Sequence, residues 1–379
     1  MYSTDRTKFR LTTRAAGAVV AAAACVATST AVASAIEGGA PVSRGEQPWY
    51  AGIVMAGEAS TVGRLMCGGT LIAADRVLTA GHCVEGAAPA DLAVRFDADV
   101  LDGAGREVPI RRIATHPGYE IADSAEGIRR LHNDVAVIEL AEPVAGPVLP
   151  MAVAAPGVGT QVTGFGHGNT GAQAEKSNAL LQAAFTVLSA AACDASMQGS
   201  YLFEGDQQLC VGPPEPSAVK PCSGDSGGPL VAGAGGEARL VGVASYLDRP
   251  TACDDPTSRL AAYADVAHFR DWALSPNPVW APRPFGDVTL EGDQRIGATV
   301  TCRAPEWDGH PDTVEYQWLV SGVDDAGRAV DIPISGAADQ PWFTIPENAA
   351  GHTVGCLVTA RNEGGTATAA TAIHLSPSA

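Results

Sequence analysis

Positive charge is scarce in this chain: 24 Lys and Arg stand against 42 Asp and Glu, a formal net charge of −18. A surface of that sign repels phosphate backbones and anionic headgroups, so the sequence argues against nucleic acid and against an anionic membrane as partner. It fits a protein kept soluble by its own charge. Charge of either sign is sparse, at 17% of residues, while 46% are hydrophobic; that balance reads as globular rather than disordered. Cysteine pairs of the C-x-x-C kind are missing, which argues against zinc. Asp97, Asp99 and Asp102 lack the ligand spacing of a known calcium motif and read as a solvated acidic turn. No metal and no cofactor are expected.

The first 35 residues read as a secretory signal peptide. Arg6, Lys8, Arg10 and Arg14 make a basic start, Ala15 to Ala33 is small and apolar, and Ala33-Ser34-Ala35 is an A-x-A cleavage signal. No adjacent arginine pair precedes the apolar run, which favours the general secretory route over the twin-arginine one. A membrane anchor is the weaker reading, because the run is alanine-rich and interrupted by Thr28, Ser29 and Thr30. Ala22-Ala23-Ala24-Cys25 matches a lipidation box only in part, its first position being wrong for one. Removal of the segment takes Cys25 with it, and nine cysteines become eight. An even count in an exported chain implies disulfides, although sequence alone leaves their pairing open. No sortase-type anchor follows Leu375-Ser376-Pro377-Ser378-Ala379, so a freely released, extracellular protein is expected.

Three short segments carry chemistry. Gly224-Asp225-Ser226-Gly227-Gly228-Pro229 places one serine between glycines, directly after Cys222. Glycine flanks let a backbone fold tightly enough for its N–H groups to converge on an oxygen that becomes negative. Thr79-Ala80-Gly81-His82-Cys83 offers a base, and His132-Asn133-Asp134-Val135-Ala136 a carboxylate to orient it. Alone, a histidine beside a cysteine is usually just packed, and an aspartate at a strand start usually caps a turn. A serine hydroxyl is a poor nucleophile unless a base stands beside it, so the three segments gain meaning together.

Their order, His82 then Asp134 then Ser226, resembles the chymotrypsin/trypsin-like serine proteases, and the resemblance runs from Ile36 to about Leu274. It implies Ser226 as nucleophile, His82 as base and then acid, and Asp134 as the buried group that fixes the imidazole tautomer. It implies the Gly224 and Ser226 N–H groups as an oxyanion hole and Ser245 as a hydrogen-bond donor to Asp134. Ile36-Glu37-Gly38-Gly39 resembles the family's new N-terminus, whose freed amino group pairs with the residue before the serine, here Asp225. A cut after Ala35 exposes Ile36 directly, so export itself is expected to activate the enzyme. The implied disulfides are Cys67–Cys83, Cys193–Cys210 and Cys222–Cys253, which leaves Cys302–Cys356 for the remainder.

The resemblance is weakest at the specificity pocket. Trypsin-like members carry an aspartate six positions before the serine; here Lys220 stands there, which disfavours Arg and Lys side chains. Lys220 attracts an acidic side chain or, the reading slightly preferred, bends away on its flexible stem. Ser245-Tyr246-Leu247 aligns with the strand that pairs with substrate backbone. Leu247 replaces a glycine that would leave the pocket open, which favours small or medium apolar residues.

The expected fold class is all-β. Short β-type runs such as Gly69-Thr70-Leu71-Ile72 and Leu240 to Ser245 are punctuated by Gly and Pro. For 36–274 the resemblance implies a chymotrypsin-like double antiparallel β-barrel, six strands to each barrel, with a C-terminal α-helix over Ala264 to Ala273. Residues 275–284 hold four prolines and read as a stiff linker without ladder hydrogen bonds. Residues 285–379 resemble an immunoglobulin-like β-sandwich through the order Cys302, Trp318, Cys356. Val354 stands where that fold's corner tyrosine is expected. The expected function is a secreted serine endopeptidase acting on proteins or peptides. The alternative is a catalytically idle, protease-shaped binding protein working through its C-terminal module, which would then face a cell-surface or extracellular ligand; a third reading makes the module a spacer.

Overall fold

A computed structural model describes residues 36–375 except 98, 125, 170–174, 215, 218, 250–252, 254, 256, 277, 324–328 and 334–338. The signal-peptide expectation therefore lies outside the described residues. Alternating burial drives the first half into strands: Leu181–Leu188 buries every second side chain, as a barrel wall with one face inward must. The first barrel closes through Tyr50–Met55, Leu65–Ala73, Arg76–Thr79, Ala136–Leu140, Arg106–Thr115 and Leu92–Phe96, each antiparallel to the next. The second runs Leu181–Leu188, Gln161–Gly166, Pro229–Ala232, Arg239–Leu247, Ala261–Asp265 and Gln208–Gly212, and closes where Gln208–Gly212 pairs back onto Leu181–Leu188. Ala40–Pro41 adds a short edge to that last strand. Closure removes the open edges that would invite aggregation.

Ala136–Leu140 is buried on both faces, so its one charge needs partners. Glu139 has them in Arg111 at 3.3 Å and Arg112 at 2.6 Å. The barrels share packed side chains where they meet: Phe165 of the second lies edge-to-face on Trp49 at 5.3 Å. Four disulfides are present: the three that the family resemblance implies, Cys67–Cys83, Cys193–Cys210 and Cys222–Cys253, and the left-over pair Cys302–Cys356.

The helix spans Val266–Ala273, two residues shorter than expected at its start. Ala264 and Asp265 still pair within the barrel, and the Asp265 carboxylate then caps the helix by accepting from Ala267 N at 2.9 Å. Val266, Phe269 and Ala273 are its buried face.

The proline-rich segment differs from its expectation. Arg76 donates to the carbonyls of Ser275 and Pro276, Ala281 N donates to Ile113 O at 2.7 Å, and Arg283–Phe285 pairs with Glu306–Asp308. Proline is barred only from positions that must donate; Pro284 sits opposite Trp307 while Arg283 and Phe285 flank it in a two-stranded ribbon. Beyond it, Thr289–Gly292, Thr299–Arg303 and Trp342–Thr344 form one sheet, and Ala329–Pro333, Thr313–Val323, Thr353–Asn362 and Gly365–His374 another. Cys302–Cys356 ties the two sheets together. Trp318 is fully buried beside that bridge, stacks on Phe343 at 5.2 Å and donates its Nε1–H to Gln340 O at 3.0 Å.

Candidate active site

His82 lies in a single 3₁₀ turn, Gly81–Cys83, directly after the strand Arg76–Thr79. The next residue is fastened to Cys67 on the neighbouring strand, so the histidine's backbone is fixed from both sides. Its Nδ1 is 2.8 Å from Asp134 Oδ2, and its backbone N donates to Asp134 Oδ1 at 2.9 Å. Ser245 Oγ donates to Asp134 Oδ2 at 2.5 Å. The chain reaches Asp134 through Asn133 at φ +49°, a left-handed conformation that asparagine tolerates better than most residues. Asn133 N donates to Gln207 Oε1, and its side chain to Gly118 O, which hold that turn.

Burial pushes the Asp134 carboxyl up, but the facing His82, the Ser245 hydroxyl and the His82 N–H outweigh it and hold the pKa below the usual range. Burial likewise pulls the His82 imidazole down, and the charge and hydrogen bond of Asp134, with a contribution from Glu85, override it, so its pKa is raised. A base must be neutral to accept a proton, so the acid limb of any His82-dependent rate lies above the imidazole's ordinary 6.5. Glu85→Gln removes one of the raising charges and moves that limb to lower pH. Steady-state kcat/KM from pH 5 to 9 measures it; an unmoved or rising limb contradicts the assignment.

The serine loop is shaped by what it must pass. Gly227 has φ +74°, and a Cβ there would lie 2.2 Å from Thr79 Oγ1. Only glycine lets the loop touch the strand that leads to His82. Ser226 O accepts from Gly68 N at 2.7 Å, and Gly68 is next to Cys67. Among the described residues, neither Gly224 N nor Ser226 N donates to a protein acceptor, and no hydrogen bond joins Ser226 Oγ to His82 Nε2. The Nε2 atom lies 3.8 Å from Cys83 Sγ. His82, Asp134 and Ser245 are thus in direct contact, and Ser226 is brought alongside through its loop. Such hydrogen bonds are commonly long before substrate binds.

Asp225 is buried with its oxygens on backbone donors: Oδ1 accepts from Gly168 N at 2.7 Å and Oδ2 from Cys222 N at 2.8 Å, and Ile36 N–H also donates to it. Burial pushes its carboxyl up to about 7 in spite of these bonds. Ile36 is buried in the second barrel's core with Phe185 and Val162, at φ +47°.

Lys220 is buried. Its Nζ donates to Asp255 O at 2.8 Å and lies 3.2 Å from Glu37 Oε2, an ion pair without hydrogen-bond geometry. Its backbone N donates to Glu37 O at 3.3 Å. Tyr246 stacks on Tyr201 at 4.6 Å and donates its hydroxyl to Gln208 Oε1 at 2.8 Å. Leu247 packs against the second barrel's core. Sequence reading missed two neighbours of this wall. Glu37 pairs with Lys220, and the buried Asp248 anchors the loop after Leu247 by accepting from Ser196 Oγ at 2.7 Å and from the Ser258 hydroxyl. An aspartate directly after the apolar run Leu240 to Leu247 was the available signal for Asp248.

Known proteins resemble the chain over about three fifths of its length. A family model described as Trypsin matches residues 36–273. Serine protease 56 of Homo sapiens is 32% identical over 250 residues, covering 62% of this chain and 38% of that protein. Trypsin iota of Drosophila melanogaster is 31% identical, covering 60% of this chain and 82% of that one. Trypsin of Saccharopolyspora erythraea is 34% identical over 212 residues, covering 54% and 86%. The chain therefore spans well under half of the human relative's length and most of both trypsins. Among solved structures, that of neuropsin, a serine protease expressed in the limbic system of mouse brain, superposes with a TM-score of 0.51 at 25% identity, over 62% of this chain and 96% of that one.

Proposed function

The chain belongs to the trypsin family, and from that premise we propose that it is a secreted serine endopeptidase working through His82, Asp134 and Ser226. Neutral His82 accepts the Ser226 Oγ proton as that oxygen attacks the peptide carbonyl carbon. The carbonyl oxygen becomes negative facing the N–H groups of Gly224 and Ser226. Protonated His82 then gives its proton to the leaving amine, and the C–N bond breaks to leave an ester on Ser226. Water repeats the sequence and frees the acid. The observation that carries this reading is the Ser245–Asp134–His82 hydrogen-bonded chain beside a serine loop with two N–H donors that have no protein acceptor among the described residues.

Activation follows from Ile36. A β-branched residue held at φ +47° is strained by about 1–3 kcal/mol. Cutting the bond before Ile36 abolishes that torsion and turns its N–H into an ammonium beside Asp225. At the pocket, Lys220 is occupied by Glu37 and Asp255, and Leu247 narrows the wall. Small or medium apolar side chains fit, and Arg and Lys do not. Residues 285–379 read as an immunoglobulin-like module, supported by two sheets pinned by Cys302–Cys356 over Trp318. Among the described residues no helix is long and apolar enough to cross a membrane.

One preparation tests the proposal: protein exported from a secretory host, sequenced from its N-terminus, treated with a fluorophosphonate, and profiled on a randomised peptide library. The expected result is a chain beginning Ile36-Glu37-Gly38, labelled at Ser226 when native and unlabelled when denatured, that cuts after small apolar residues. Absence of native labelling overturns the enzyme reading. Active material starting elsewhere overturns the activation step, and cleavage confined to Arg and Lys overturns the pocket.

A further inference from the structure

We propose that the C-terminal module is a working part of the catalytic centre, with Asn362 as a positioning residue that braces the segments carrying Asp134 and His82. The inference rests on the reading of those two residues as carboxylate and base. Strands Thr353–Asn362 and Gly365–His374 are joined by a two-residue tip. Asn362 organises that tip with a single amide. Its Nδ2 donates to Trp280 O at 2.9 Å and to Gly309 O at 2.6 Å, and its Oδ1 accepts from Gly364 N at 2.8 Å. Gly364 is pressed so close to the incoming chain that a Cβ would lie 2.2 Å from Val279 O.

Held in this way, the Gly364 carbonyl accepts from Thr115 twice, from N at 2.7 Å and from Oγ1 at 3.1 Å. Thr115 ends a barrel strand, opposite Ala136. The next residue, His116, donates its N–H to Val135 O at 3.0 Å, and Val135 follows Asp134. The same hairpin reaches the base: Thr368 Oγ1 donates to Gly86 O at 3.2 Å, four residues beyond His82 and next to Glu85. Arg112 lies over the Trp280 ring at 4.4 Å, and Ala281 N donates to Ile113 O, so the approach to the tip is fastened too. A module that merely trails on a linker needs none of these bonds. Here they end one residue from the strand junction that sets Asp134 and inside the turn that follows His82. Displacements well under 1 Å at such a pair matter, because catalysis falls steeply with misplacement, about 10²-fold for 1 Å.

Asn362→Asp in the full-length chain puts a carboxylate oxygen against the carbonyls of Trp280 and Gly309 and unseats the tip. With a peptide ester substrate, kcat is expected to fall by about tenfold or more while KM stays within about twofold. The downfield proton resonance of His82 Nδ1–H, which bridges to Asp134, is expected to shift or broaden. A folded Asn362→Asp protein with wild-type kcat and an unchanged resonance overturns the proposal. Should Asn362→Asp not fold, Thr368→Val decides: it removes only the bond to Gly86, and a kcat equal to wild type overturns the proposal. An inactive wild-type protein would instead refute the enzyme reading itself, so the two failures are distinct.

Discussion

Replacing Ser226 by alanine lowers kcat by about 10⁶-fold, and replacing His82 in the same chain costs almost nothing more. The two act as one device: without the hydroxyl there is no proton for His82 to accept, and without His82 the hydroxyl does not attack. The expected residue of activity is about 10³–10⁴ over water, because the Gly224 and Ser226 N–H groups belong to the backbone and survive both substitutions. Neither change should unfold the protein. The serine loop is held by main-chain bonds, Gly68 N to Ser226 O at 2.7 Å and Gly227 N to Ala244 O at 2.7 Å, and among the described residues the Ser226 side chain makes no hydrogen bond. Burst kinetics and a thermal melt check both halves. A Ser226→Ala protein retaining more than about one per cent of kcat, far above the expected loss, contradicts the assigned nucleophile.

The parts legible in the sequence were those written as local patterns. His82 sits in a tight turn between Gly81 and Cys83, and Ser226 in one between Gly224 and Gly227, and the strain of such turns restricts the residues that can fill them. The β-type runs Gly69 to Ile72 and Leu240 to Ser245 were legible as local patterns too, and both fall inside barrel strands. Lys220 was half legible. Its position in the chain is plain, but where a four-carbon stem carries its charge depends on Asp255 and Glu37, residues remote in sequence. The brace at Asn362 was not legible at all. An Asn-Glu-Gly-Gly run between two strands reads as a turn whatever lies beside it, and a proline-rich segment reads as a linker until its flanking N–H groups find partners. Hydrogen bonds between residues some 250 positions apart, as from Thr115 to Gly364, leave no periodicity to detect.

Asp225→Asn separates the two states of the chain. Before the cut, Asp225 is a buried carboxyl pushed up to about 7, against an ordinary 3.8. Between those two pH values the folded chain holds a proton that the unfolded chain releases, so stability declines as pH rises, by about 4 kcal/mol across the window. The asparagine does not titrate, and the uncut variant loses that slope. It still pays a fixed cost, because one of the N–H groups of Gly168 and Cys222 now faces an NH₂ group. Melting curves from pH 4 to 8, taken in a Ser226→Ala background to prevent self-cleavage, read the difference. After the cut the sign reverses. The Ile36 ammonium draws the carboxyl pKa down, and Asp225 draws the amine above its free 7.7–8.0, so the pair holds at neutral pH and is lost as pH rises through the raised amine value. In Asp225→Asn the ammonium is buried without a counter-charge, unfavourable by about 3–5 kcal/mol. The loop between Cys222 and Ser226 then loses the anchor that aims its N–H groups, and kcat/KM falls by about 10²–10⁴-fold. A mature Asp225→Asn enzyme within tenfold of wild type would mean that the oxyanion loop holds its shape without the pair, on main-chain bonds such as Asp225 N to Cys222 O and Asn169 N to Ser223 O.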